Sequence, residues 1–185
     1  MNDTKRRALV AVAQEVFARH GYRRVNMKDI AEAAGVSRPG LYLYFKTKEA
    51  IFSAAVLALA ENSIARIQAG LAEHSAIQEK LRFAFEIWTV EIFELTLKSP
   101  EAKELSELSH DFARDALDEG YRQFEAVLAS QLKAHARSSA TRVALPADRT
   151  AHLLGSAVRG FKLVAQNGAQ LRKMIHDLLR LTVAA

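Results

Sequence analysis

Along nearly the whole chain apolar residues recur at the three- and four-residue steps of an α-helix, with only three prolines in 185 residues to interrupt them. No run of alternating β-branched residues competes with that period, so the expected fold class is all-α. A long helix is expected from Thr47 to about Leu71, with Phe52, Val56, Leu59, Ser63, Ile67 and Leu71 near one face. The next runs from Ala76 to Lys98, capped by Ser75 with Gln78 completing a capping box. There Phe85, Trp88, Ile92 and Leu95 share a broad face, while Phe83, Ile87, Val90 and Phe93 lie around the rest. Apolarity on all sides marks a central, buried helix. A short helix follows from Ser99-Pro100 to about Leu108, then another from about Ser109 to His135 with Phe112, Tyr121, Phe124, Leu128 and Leu132 in its stripe. Arg137 to Leu145 reads as a loop, and Asn167-Gly168 divides the remainder into helices at Pro146–Asn167 and from Ala169 to about Val183.

Near the N-terminus the pattern breaks into shorter pieces. Asn26 can cap a helix from Met27 to Ala34, because its side-chain oxygen accepts an orphan backbone N–H, and Asp29 suits the positive helix end. Gly35 stops that helix by supplying a left-handed backbone. Ser37 can cap a second helix, with Pro39 in its first turn, where a missing N–H costs nothing. Helix, tight glycine turn, helix is the helix-turn-helix signature of DNA-binding proteins. Ile30, Ala31, Ala34, Val36, Leu41 and Phe45 are spaced for one small core with a preceding helix. Tyr42 and Tyr44, about 200° apart on a helix, cannot both join that core, so at least one hydroxyl is available to phosphate.

Charge sharpens this picture. The chain carries 26 Lys and Arg against 21 acids, yet residues 1–48 hold ten of the basic and only four of the acidic residues. The positive charge therefore sits entirely with the motif, as an electrostatic footprint for a polyanion should.

Other chemistries find little support. Lys5-Arg6-Arg7 and the apolar run behind it faintly resemble a secretion signal, but that run is short and ends in Gln14-Glu15. No apolar stretch approaches the roughly 18–20 residues of a membrane span, and a cytoplasmic protein is expected. The absence of cysteine excludes disulfides, thiolate metal sites and a cysteine nucleophile. The six histidines, at 20, 74, 110, 135, 152 and 176, never pair at the spacing that puts two metal ligands on one helix face. Gly35 to Gly40 has the glycine spacing of a phosphate loop without its Lys and Ser/Thr, and no G-x-S-x-G elbow occurs. No catalytic residue, metal or cofactor is expected.

The stretch from about Thr4 to about Phe52 resembles the DNA-binding domain of the TetR family of bacterial transcriptional regulators. The resemblance rests on Ala13, Phe17, Gly21 and Tyr22, then Met27, Asp29-Ile30-Ala31, Ala34-Gly35-Val36-Ser37, Gly40-Leu41-Tyr42, Tyr44-Phe45 and Lys48-Glu49. It implies an N-terminal DNA-binding domain over 1–48 and a helical effector-binding and dimerisation domain over 49–185, with about nine helices in all. It further implies that Ser37, Arg38, Pro39 and Gly40 approach the major groove, Arg38 being the residue suited to guanine, with phosphate contacts from Lys28, Tyr42, Tyr44 and Lys48. Met27 stands where family members often carry Thr or Ser.

The last two helices supply a second candidate surface. Leu171, Met174, Ile175, Leu178 and Leu179 keep the spacing of an apolar seam, and in the preceding helix the small residues Ser156 and Gly160 lie beside Leu153, Ala157 and Val164. The resemblance implies that these helices pair with their two-fold mates, giving a homodimer on a palindromic double-stranded operator, its reading helices about 34–36 Å apart. It also implies an unidentified small-molecule effector whose binding releases DNA, walled by Phe85, Trp88, Ile92, Phe112, Tyr121 and Phe124. Glu91, at the edge of the Trp88 face, would favour a cationic or hydrogen-bonding ligand if buried and would be a surface charge if exposed. The alternatives are a DNA-binding protein of this fold without a small ligand, governed by a protein partner or by abundance, and more remotely a helical enzyme with an incidental basic arm.

Overall fold

The computed structural model describes residues 3–99, 101, 111–138 and 145–183, and every regular element among them is helical. The expected short helix to Leu108 falls largely outside these residues, as does most of the expected loop at Arg137–Leu145. Two compact units emerge, one from residues 1–61 with 95–120, the other from 62–94 with 121–185.

In the first unit, α1 (Asp3–His20) turns the inward face Leu9, Val10, Ala13 and Phe17 against α2 (Met27–Ala33), α3 (Arg38–Tyr42) and the first half of α4 (Lys48–Gly70). Phe17, Ile30, Leu41, Phe45, Ile51 and Phe52 are essentially inaccessible, and the Phe17 and Phe52 rings meet edge to face at 4.9 Å. Ala34 and Val36 lie at the margin of this core, half-buried. Met27 is buried in it, which removes that position from the DNA-facing surface. A single 3-10 turn, Asp111–Ala113, also belongs to this unit: the Phe112 ring packs on Tyr22 and Phe52, and the Ser53 hydroxyl donates to the Phe112 carbonyl at 2.9 Å.

The second unit contains the rest of α4, a 3-10 turn at Leu71–Glu73, α5 (Ile77–Phe85), α7 (Arg114–Ser138) from Tyr121 onward, α8 (Ala147–Val164) and α9 (Gly168–Thr182) around a core centred on Leu81, Phe85, Phe124, Leu128, Leu154 and Leu171. The single helix expected over Ala76–Lys98 is divided: α5 passes through a π turn, Glu86–Val90, into α6 (Glu91–Lys98), with the Glu91 N–H donating to the Glu86 carbonyl five residues back. A π turn takes up one residue more than an α turn. The buried stripe therefore advances by one position, from Phe85 to Thr89, Val90 and Phe93, instead of to Ile92 and Leu95; Ile92 is only half-buried and Leu95 is exposed. The start of α5 also departs from expectation. Its first residue is Ile77, the Glu79 carboxylate accepts the Ala76 N–H, and Gln78 instead donates to the Val183 carbonyl.

On α9, Arg172 grips Glu86, the first residue of the π turn, at 2.5 Å and Glu94, one turn beyond it, at 2.7 Å. Glu94 lies so close over Gly168 that a side chain there would collide with its carboxylate. Against the expectation of no membrane-length apolar stretch, Lys48–Glu73 is long enough to be one and contains a window of mean hydropathy 1.4. Ile51, Phe52, Ala55, Ile64 and Ile67 explain that composition, since they are core residues of the two units.

Candidate DNA interface

The reading element is built by its caps. The Asn26 side chain accepts the N–H groups of Lys28 and Asp29 at 2.8 and 3.2 Å, and the Asp29 carboxylate accepts the Asn26 N–H in return at 2.8 Å. Past the end of α2, Gly35 adopts φ +63°, which lets its own N–H bond Glu32 O and the Val36 N–H bond Ala31 O. These two bonds are a Schellman closure and satisfy carbonyls that the helix end would leave bare. Ser37 then caps α3, its hydroxyl accepting the Gly40 N–H at 3.1 Å. Caps on both helices fix the angle of the turn with little help from the side chains on its outer face.

That outer face carries the expected residues. Ser37, Arg38 and Pro39 are exposed at the N-terminus of α3, with Gly40 half-buried behind them. The Arg38 guanidinium lies 5.6 Å from the centre of the Tyr42 ring, and its Nη2 donates to the Tyr42 hydroxyl at 3.4 Å. Tyr42 and Tyr44 each lean one side on the core and leave the other accessible. Lys28 is exposed and makes a helical ion pair with Glu32 at 3.5 Å. Leu43, which the sequence reading passed over, stands 70% exposed between the two tyrosines. The alternation of Leu41 and Leu43 in so short a helix was the signal for it, since both cannot face the core.

Lys48 departs most from a simple surface cation. Its ammonium donates to the carbonyls of Tyr22 and Val25, both at 3.0 Å, and lies 4.0 Å from the centre of the Tyr22 ring. Two of its three donors thus hold the segment between α1 and α2 to the start of α4, and one remains. Beside it the Tyr22 hydroxyl donates to Glu49 at 2.9 Å. Burial, then that carboxylate, pushes the phenol well above its ordinary value; a backbone hydrogen bond first, and Tyr22 second, hold Glu49 below the usual carboxylate range.

The residues expected around an effector separate. Phe85, Trp88, Tyr121 and Phe124 come together: Trp88 stacks on Phe124 at 4.7 Å, meets Tyr121 edge-on at 5.4 Å, and Phe85 closes on Phe124 at 5.3 Å. Phe112 does not join them, being held among Tyr22, Phe52 and Ser53. Glu91 is exposed and bound by both arms of Arg66 at 2.8 and 3.0 Å, a surface charge rather than a ligand partner. No cluster of three or more metal-ligating side chains occurs among the described residues.

The expected dimer seam separates too. Leu171, Ile175 and Leu179 are buried in their own unit, and no surface of theirs is left for a second chain. Met174, Leu178 and Ala157 are half-buried, whereas Leu153, Ser156, Gly160 and Val164 face outward. Leu163 joins them at 87% exposure, and a Cβ on Gly160 would meet nothing within 4 Å.

Capped paired helices of this kind, with an exposed arginine at the head of the second, define a helix-turn-helix protein. Residues 9–55 match the family model described as bacterial regulatory proteins, tetR family. The HTH-type transcriptional activator FasR of Mycolicibacterium smegmatis is 33% identical over 84 residues, 45% of this chain and 38% of the relative. The HTH-type transcriptional regulator RutR of Escherichia coli is 31% identical over 86 residues, 45% of this chain and 41% of the relative. The match thus spans about two fifths of each relative's length. At the level of fold, the transcriptional regulator FadR from Bacillus subtilis, solved in complex with stearoyl-CoA, superposes with a TM-score of 0.65 at 21% identity, covering 96% of this chain and 98% of that one. Residues 9–55 are thus similar to that family, and the chain as a whole shares the all-helical fold of this solved regulator.

Proposed function

We propose that the protein is a transcriptional regulator rather than an enzyme, acting in the bacterial cytoplasm as a homodimer on a palindromic operator and released from it by a small-molecule effector. The observation that carries this reading is the doubly capped turn at Asn26–Gly40, which leaves Ser37, Arg38 and Pro39 exposed at the head of α3 within a strongly basic segment. In this reading residues 1–48 are the reading head and 49–185 the effector-binding and dimerisation part. Arg38 takes a guanine through its paired N–H groups, while Lys28, Tyr42, Tyr44 and the remaining donor of Lys48 take phosphates.

Pairing is supported by the face of α8, where Leu153, Leu163 and Val164 lie bare around Gly160, with Leu181 of α9 also bare. Release follows if the effector complex favours a separation of the heads different from that on DNA, so that ligand and operator weaken each other reciprocally. Selection of bound sites from random duplexes is expected to return an inverted repeat whose half-sites are about one helical turn apart. Recovery of no common sequence would overturn the reading.

A further inference from the structure

We propose that the effector is an organic anion with an apolar body, its carboxylate or phosphate head held by Arg159 and Lys162 of α8 and its body lying against Trp88 and Tyr121. The inference rests on the effector reading above and gives that ligand its chemistry.

Arg159 and Lys162 are one helical turn apart, which places two cations on one side of α8. The Arg159 guanidinium lies 3.2 Å from the centre of the Tyr121 ring, and Tyr121 in turn packs against Trp88. This cation–π contact, with a side-chain hydrogen bond to the same tyrosine, fixes where the guanidinium sits and leaves most of its five N–H donors to a ligand. Lys162 is half-buried, unlike an ordinary last-turn lysine that extends into water. Among the described residues, neither cation has a carboxylate within ion-pair distance. Glu125, whose charge acts on Tyr121, is engaged by His152 at 3.0 Å and covers Gly155. Two like charges on one side of a helix, Arg159 exposed and Lys162 half-buried, with no carboxylate paired to either among the described residues, form a site that an anion relieves. Burial first, and Arg159 second, lower the Lys162 pKa, in keeping with that arrangement. The adjoining surface is aromatic, so a ligand matching the whole site carries an apolar group beside its charge.

Trp88 is the chain's single tryptophan, and its emission reports directly on this site. The full-length protein is titrated with octanoate, octyl phosphate and, as the uncharged control, octanol. Saturable change with one or both anions, weakened about tenfold or more in both Lys162→Met and Arg159→Gln while thermal melts remain cooperative, is expected for charge-assisted hydrogen bonds. The two anions separate a carboxylate-selective site from a phosphate-selective one. Equal response to octanol, or undiminished binding in both variants, overturns the proposal. It is also overturned if Lys162→Met leaves the anion titration intact but converts the protein to a slower-associating or monomeric species, since the cations would then serve a second copy. Site selection on the same preparation separates the two readings: anion discrimination without DNA binding rejects the regulator, whereas DNA binding without anion discrimination rejects the anion site.

Discussion

Arg38 and Lys48 are both cations of the reading head, and their surroundings predict different losses. Arg38 is exposed and bonds Tyr42 within its own helix, so Arg38→Ala is expected to relax base preference at one position of each half-site, costing about 1–3 kcal/mol of discrimination, with an unchanged melting temperature. Lys48 bonds two backbone carbonyls, so Lys48→Met is expected to lower unfolding free energy in urea by about 1–3 kcal/mol as well as weakening binding to all duplexes. Lys162 makes a third case. Its pKa is depressed in the folded state, so the unfolded chain binds the proton more tightly and stability rises with pH in the window below its ordinary value of 10.5. Lys162→Met is therefore expected to melt higher than the parent at pH 7, with the gap narrowing as pH approaches 10; a lower melting temperature at pH 7 would contradict the assigned cost of burial. Sequence reveals that these side chains are charged but not what they face. Arg38 was legible because its position in a capped turn determines its exposure, whereas Lys48 depends on carbonyls and a ring more than twenty residues away and Lys162 on how deeply packing buries it.

At the scale of elements, the caps were the most legible part because each acts within four residues. Asn26, Asp29, Gly35 and Ser37 all take the local roles their chemistry implies. Gly35→Ala is expected to cost about 1–2 kcal/mol in thermal or urea unfolding from backbone strain alone, because nothing lies within 4 Å of the added Cβ. The π turn was not legible: Phe85, Trp88 and Ile92 satisfy an unbroken α pattern as well as the true one, and only packing of Val90 and Phe93 decides between them. The α9 stripe was misassigned for a related reason. Periodicity identifies an apolar face without saying whether its own chain or another covers it, and Leu171, Ile175 and Leu179 are covered by their own.

For the whole molecule, pairing rests on side chains that contribute little to each chain's own core. Leu163→Asp, at a position 87% exposed, is expected to leave secondary structure intact while shifting sedimentation to the monomer and abolishing operator binding at concentrations that saturate the parent. A dimer that survives this change would move the interface elsewhere on the chain. The π turn carries a consequence for comparative biology. A helix that accommodates one surplus residue is formally an insertion whose ends have been healed within the coil. When this chain is aligned with relatives whose corresponding helix is uninterrupted, a gap of one residue belongs near Glu86–Val90; without it, every homologous position through α6 would be transferred from the wrong side of the helix.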